Sequence, residues 1–246
     1  RYHASNVGVT EHFIQKGMGY LMEKEIQFLL ERFKKPKPPL LLILGGAKIS
    51  GKLHLIDRFL DDADTILIGG GMAFTFLKAL GVKVGRSIVD SKMVSTAEDI
   101  IARARRKRVK LVFPVDFVIA EAIEKPKEMK TVAFDSIPDS YMGLDIGTET
   151  VNIFSDYISR AGTILWNGPM GVFEKKEFEN GTKAISKAVS LAYDKGIDTI
   201  VSGGDSAAAV NKFGVNEKMT HVSTGGGASL ELLSGKTLPA LEALGR

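Results

Sequence analysis

Lys48 and Lys52 stand four residues apart just after the glycine pair Gly45 and Gly46, in the segment ILGGAKISGK. That spacing predicts two ammonium groups on one face of a helix start, where cations oppose the helix dipole unless an anion lies beside them. The glycines let the chain turn close to such a ligand. Four more glycine-rich segments follow: IGGGMA, WNGPMGVFE, SGGDSAAAV and STGGGASLE. Most come directly after an apolar run and lead towards a helical pattern. Loops so placed gather at the carboxyl edge of a parallel sheet, where helix N-termini turn backbone N–H groups towards an anion. The chemistry indicated is the holding of nucleotide phosphates.

Other residues extend this reading. Gly203 and Gly204 allow close approach, and Asp205 and Ser206 follow where a helix should begin. Asp205 is either an N-cap or a carboxylate for Mg²⁺, which takes one or two carboxylates together with substrate phosphates. Asn167, Pro169, Gly171 and Glu174 make a rigid polar turn able to cradle a base and bring a carboxylate to ribose hydroxyls. Trp166 ends an apolar strand and is expected in the core rather than as a stacking platform. Gly225, Gly226 and Gly227 can present N–H groups to a moving phosphoryl group. Gly46 to Lys52 also fits the body of a P-loop, but Leu53 occupies the position of the magnesium-binding hydroxyl. No loop has G-x-G-x-x-G with a later ribose-binding acid, and no GxSxG elbow is present. What remains is phosphate held by lysines, amides and Mg²⁺, the equipment of phosphoryl transfer.

Composition narrows the alternatives. With 246 residues, 44% of them hydrophobic, the chain can bury one large α/β core. The absence of cysteine removes disulfides, thiolate metal sites and thiol nucleophiles, and is compatible with a reducing cytosol. No apolar stretch approaches the roughly 20 residues needed to cross a bilayer, and the opening RYHASNVGVT lacks the apolar core of a signal peptide. The excess of 33 basic over 29 acidic residues is too small and diffuse for a nucleic-acid partner. The densest basic run, Arg103 to Lys110, has no interleaved aromatics and reads as a solvated helix face, begun by a capping box of Ser95 and Glu98.

The elements that must position these groups alternate. Strands are expected at 40–44, 65–68, 109–113, 163–166, 198–201 and 220–222, with a weaker edge strand at 131–134. Helices are expected at 53–60, 73–80, 97–107, 181–194, 207–213 and 228–233. Such alternation specifies a mainly parallel, six-stranded sheet covered on both faces, a Rossmann-like α/β domain in three layers. Before it, Met22, Ile26, Leu29 and Phe33 recur at helical spacing between Gly19 and Lys35, and KKPKPP then ends the helix. The first residue is Arg1, and the opening segment forms no unit of its own, so the chain is expected to continue something larger.

At these residues the sequence closely resembles the phosphoglycerate kinase family. The likeness is carried, in family order, by RYHASNVG, GYLMEKEI, ILGGAKISGK, LIGGGMAFTFLKALG, FPVDFV, MGLDIG, WNGPMGVFE, GGDSAAAV and HVSTGGGASLELL. The resemblance implies a two-lobed enzyme that moves a phosphoryl group between 1,3-bisphosphoglycerate and ADP, giving 3-phosphoglycerate and ATP. It implies that this chain is the C-terminal, nucleotide-binding lobe: residues 1–16 a remnant of the N-terminal lobe, 17–35 the interdomain helix and 36–246 the nucleotide domain. The alternatives are a different P-loop-like phosphotransferase and a non-catalytic nucleotide-binding module.

By the same resemblance Lys48 follows the transferred phosphoryl group, Lys52 holds nucleotide phosphate, and Asp205 is the Mg²⁺ ligand. Gly203, Gly204 and Ser206 form the phosphate loop, Glu174 contacts ribose, and Gly46, Gly70, Gly143, Leu144, Asn167, Pro169, Gly171 and Val172 belong to the nucleotide pocket. Gly204, Gly226 and Gly227 serve the transition state, and Arg1 the phosphoglycerate site. A monomeric cytoplasmic protein with small-molecule partners, no nucleic acid and no membrane is implied, inactive without its N-terminal lobe. Three positions depart from the family pattern: Gly51 for Asp, Ser202 for Gly and Thr148 for Pro.

Overall fold

The computed structural model describes residues 6–10, 12–31, 35–223 and 225–245. Nine strands are formed among them: β1 Leu40–Leu44, β2 Thr65–Ile68, β3 Lys110–Val112, β4 Asp116–Ala120, β5 Met129–Ala133, β6 Met142–Ile146, β7 Thr163–Asn167, β8 Asp198–Ser202 and β9 His221–Ser223. Six make one sheet in the order β3-β2-β1-β7-β8-β9, and every pairing in it is parallel. Leu44 therefore stands beside both Ile68 and Asn167, and Ser202 beside Ser223. The five glycine-rich loops leave from this common carboxyl edge.

Ten α-helices are formed among the described residues: α1 Asn6–Thr10, α2 Tyr20–Ile26, α3 Leu53–Phe59, α4 Met72–Ala79, α5 Val94–Lys107, α6 Thr148–Arg160, α7 Asn180–Asp194, α8 Gly204–Lys212, α9 Gly226–Leu233 and α10 Pro239–Ala243. The period-two alternation of the strands divides them into layers. Leu42, Leu44, Ile66, Ile68 and Ile200 pack with residues of α3, α4, α5 and α9 on one face. Leu41, Ile43, Leu67, Ile164 and Trp166 pack with α6, α7 and α8 on the other. Trp166 is fully buried, as its place at a strand end predicts.

The expected α/β class and six-stranded parallel sheet are thus present, with several local corrections. The segment near 131–134 is not an edge of the main sheet: β5 pairs antiparallel with β4, which pairs antiparallel with β6, as a separate three-stranded sheet. β4 and β6 were not expected, because DFVIA follows Pro114 and MGLDI carries Gly143 and Asp145, features that read as loop. α6 was also missed, although Val151, Phe154 and Ile158 repeat at helical spacing. Thr148, where the resemblance led us to expect proline, is the first residue of α6, a position at which proline's missing N–H would cost nothing. The capping box is absent: α5 starts after Met93 with no side-chain cap, leaving Ser95 inside the helix. Two of its basic residues form ion pairs with α3 and the turn after it, Arg103 with Asp57 at 2.6 Å and Lys107 with Asp61. α2 continues into a π-helical turn, Gln27–Glu31, with Ile26 and Leu29 buried; Phe33 lies outside the described residues.

The small sheet caps two helices that lack side-chain caps of their own. Asp116 of β4 accepts bonds from the N–H groups of Glu149 (3.1 Å) and Thr150 (2.8 Å) at the start of α6. Asp145 of β6 accepts from the N–H of Gly181 (2.6 Å) at the start of α7 and from that of Ile146 (2.9 Å). Burial of Asp145 pushes its carboxyl from an ordinary 3.8 up to about 7, against the pull of those two bonds.

Two predictions follow from this architecture. The folded state holds the Asp145 proton to higher pH than the unfolded chain does. Its contribution to stability is therefore full below about pH 3.8 and lost as pH rises towards about 7. In denaturant melts, the stability of the wild type relative to Asp145→Asn should decline between those limits and then level off. Secondly, a Cβ on Gly45 would stand 2.1 Å from the Pro169 carbonyl oxygen, whereas one on Gly51 would meet nothing within 4 Å. Gly45→Ala should destabilise by about 1–3 kcal/mol, and Gly51→Ala should stabilise by about 0.4–1 kcal/mol, both read as shifts in denaturation midpoint.

Candidate functional site

At the carboxyl edge, the loops after β1, β2 and β7 are joined by backbone hydrogen bonds. The N–H of Gly45 donates to Asn167 O (2.9 Å), that of Gly46 to Pro169 O (2.8 Å), that of Gly70 to Met170 O (3.1 Å), and that of Met72 to Gly46 O (2.9 Å). Gly46, Gly70 and Gly168 have φ of +86°, +61° and +100°, a region disfavoured for side-chain-bearing residues. A Cβ on Gly70 would meet the Gly46 nitrogen at 2.5 Å, and one on Gly168 the Gly45 carbonyl at 2.4 Å. Three of the five loops thus bond to one another through their backbones. The amides of Gly45, Gly46 and Gly70 are engaged in holding the loops together. Amides without intrahelical acceptors remain at the first turns of α8 and α9.

Two cavities lie on this shelf. The larger, of about 510 Å³, is bounded by Gly46, Gly70, Pro169 and Gly171 from the main-sheet loops and by Gly143 and Leu144 of β6; Val172 and Glu174 complete that side. Phe74, Ile88, Phe117 and Ile123 give it apolar walls. The absence of a Cβ at Gly143 admits the Phe74 ring, which would otherwise lie 2.2 Å from it. Phe74 and Phe117 pack with ring centroids 4.6 Å apart. The smaller cavity, of about 220 Å³, brings together Lys52, Asn167, Gly203, Gly204 and Ser206 with Gly226 and Gly227. Asp205 borders both cavities.

Within the smaller cavity, Lys52 bonds through Nζ to Asn167 Oδ1, and Asn167 Nδ2 donates to Ser202 O at 2.6 Å. Burial lowers the Lys52 ammonium from 10.5 to about 8, opposed by the Asp205 carboxylate. The Ser206 hydroxyl accepts from Gly168 N–H at 2.6 Å, so it fixes the loop after β7. The N-cap of α8 is Gly203, so Asp205 is not the cap but an exposed residue of the first turn that borders both cavities. The Ser202 hydroxyl is buried without a protein partner among the described residues.

Lys48 is not brought to this site. It is exposed, lines neither cavity, and lies in the loop ahead of the 3₁₀ turn Ser50–Lys52, so it does not share a helix face with Lys52. Arg1 lies outside the described residues. Sequence reasoning overlooked the apolar walls and Asp145. Phe74 directly follows the IGGGMA segment, and Asp145 belongs to the MGLDIG motif, so both stood within recognised segments.

A cavity with apolar walls, joined at one carboxylate to a cavity with a lysine and two helix N-termini, suits a ligand with a flat apolar end and an anionic end. The family model described as "Phosphoglycerate kinase" matches residues 1–236. The chain is 51% identical over 245 residues to phosphoglycerate kinase of Thermosipho africanus, and 49% identical over 244 residues to that of Synechococcus elongatus. Each alignment covers 99% of this chain and 61% of the relative, so the chain spans about three-fifths of their length. Among solved structures, phosphoglycerate kinase from Coxiella burnetii superposes with a TM-score of 0.87 at 37% identity, covering 92% of this chain and 58% of that one. The Pyrococcus horikoshii enzyme does so with 0.81 at 34% identity, over 93% and 57%. The chain belongs to the phosphoglycerate kinase family.

Proposed function

We propose that this chain is the nucleotide-binding lobe of a phosphoglycerate kinase, with the interdomain helix at 17–35 and the nucleotide domain at 36–246. The whole protein would exchange a phosphoryl group between 1,3-bisphosphoglycerate and ADP. The observation that carries the reading is the pair of cavities sharing Asp205, one apolar and one cationic. Adenine and ribose occupy the larger, with Glu174 at the ribose hydroxyls. The phosphates occupy the smaller, held by Lys52 and the first-turn amides of α8 and α9.

The donor set fits Mg²⁺ only in company with nucleotide. No group of three or more His, Cys, Asp or Glu residues able to hold a metal occurs among the described residues. Asp205 is the one carboxylate among the residues lining the smaller cavity, within the one or two that Mg²⁺ takes when phosphates supply the rest. When bound, the ion neutralises charge on the phosphates. In the synthetic direction the attacking oxygen belongs to ADP and the bond broken joins phosphorus to the acyl oxygen of 1,3-bisphosphoglycerate. Phosphoglycerate is gripped by Arg1 together with residues of the N-terminal lobe, and a closed cleft is needed to align donor and acceptor. Lys48, exposed here, reaches the reacting group only when a second lobe closes over it. The partners are these small molecules and the N-terminal lobe, and the protein works as a monomer. Among the described residues no helix is long and apolar enough to cross a membrane.

Titration of the chain with Mg-ADP should shift the amide signals of 45–52 and 203–206, while Mg²⁺ alone leaves them unchanged. Silence at saturating nucleotide refutes the site. A coupled assay with 3-phosphoglycerate and Mg-ATP should show turnover only after the N-terminal lobe is added, and near-normal turnover by the chain alone would overturn the half-site reading. In the two-lobed enzyme, Lys48→Ala should lower kcat far more than nucleotide affinity, because its contact is made in the transition state. Lys52→Ala should chiefly weaken nucleotide binding. Steady-state kinetics beside calorimetric binding decide the matter, and equal losses in both quantities would reverse this division.

A further inference from the structure

Asp145 lies where β6, the loop after β7 and the first turn of α7 meet, and it is only 2% exposed. The residue borders the larger cavity. Two glycines make room for it: a Cβ on Gly171 or on Gly181 would stand 2.3 Å from Oδ1. From here a chain of hydrogen bonds leads back to the central loops. Oδ2 accepts from Gly181 N–H at 2.6 Å, which fixes the start of α7. The next residue, Thr182, is fully buried and accepts at Oγ1 from Met170 N–H at 3.0 Å. Met170 O in turn accepts from Gly70 N–H at 3.1 Å, and the Met170 side chain fills the space left by Gly69, whose Cβ would meet Sδ at 2.4 Å. On the other side, Val172 N–H donates to Leu144 O at 2.8 Å. One wall of the cavity thus hangs between Asp145 and the glycine loops.

We propose that Asp145 is a positioning residue for nucleotide binding: through the first turn of α7 its carboxylate fixes Met170 to Val172, the wall against which the base and ribose rest. This rests on the nucleotide reading above. The carboxylate acts by accepting two N–H bonds, which no amide can reproduce. Asp145→Asn keeps the volume but sets an NH₂ group against one of two backbone donors.

The test compares the wild type with Asp145→Asn and Thr182→Val at pH 8. Thr182→Val removes the Met170 acceptor and leaves Asp145 in place, so it serves equally if the first variant does not fold. In the ligand-free protein, hydrogen exchange of the Met170 and Gly70 amides should quicken about tenfold, with Leu42 and Ile66 in the central strands unchanged. The Kd for Mg-ADP should rise about tenfold in parallel. Wild-type exchange at Met170 and Gly70 overturns the proposal whether or not nucleotide binds, and so does faster exchange with an unaltered Kd. Failure of the wild type to bind Mg-ADP also removes the proposed role, but it is recognised separately, because the exchange comparison still reports whether Asp145 holds the wall.

Discussion

The contact of bare backbone against bare backbone at the ends of β1, β2 and β7 is the constraint on which the rest of the site depends. Parallel strands deliver their loops to one edge, but side chains would keep those loops apart. Gly45, Gly70 and Gly168 remove that separation, and the bonds from Gly45 to Asn167, Gly46 to Pro169 and Gly70 to Met170 close the gap. Each bond is worth on the order of 1 kcal/mol net, yet leaving any of these buried groups unpaired would cost more than the bond gains. The shelf is therefore held in one arrangement, and both cavities inherit their shape from it.

The small antiparallel sheet joins the main core through Phe117 and Ile119 on one face of the large sheet and Ile146 on the other. It contributes Phe117 and the Gly143–Leu144 edge to the larger cavity, and its two buried carboxylates cap α6 and α7 across a gap in sequence. Helices usually carry a cap within their own chain segment. Here the cap comes from a neighbouring strand, which makes the placement of the small sheet and of the two helices one event. Thr182 then extends the tie into the loop after β7.

Much of this was legible in sequence, and the exceptions have physical causes. The main sheet was readable because its strands are short apolar runs, most of them followed by glycine, and the core tryptophan because it lies near the end of one of them. Lys52, Asn167, Gly203 and Asp205 were readable as site residues because loop, lysine and helix start occur together, and they do line one cavity. The small sheet was not, since buried Asp116 and Asp145 look like loop polarity until the helix amides they serve are known. The uses of the glycines were likewise hidden: a glycine that brings loops into contact and one that exposes an amide to a ligand look identical in sequence. Periodicity promised Lys48 a shared face with Lys52, but the chain between them enters a 3₁₀ turn and the α-helix begins only at Leu53.

The depressed Lys52 ammonium has a further consequence. A lysine that titrates at about 8 is only partly charged in mildly alkaline solution, so the empty pocket carries less positive charge there than its residue types suggest. An arriving polyanion favours the charged form and draws a fraction of a proton from solvent as it enters. Ligand uptake and buffer ionisation are then coupled, and the apparent heat of association depends on the buffer in which it is measured. Occupancy would be written in protons as well as in phosphate.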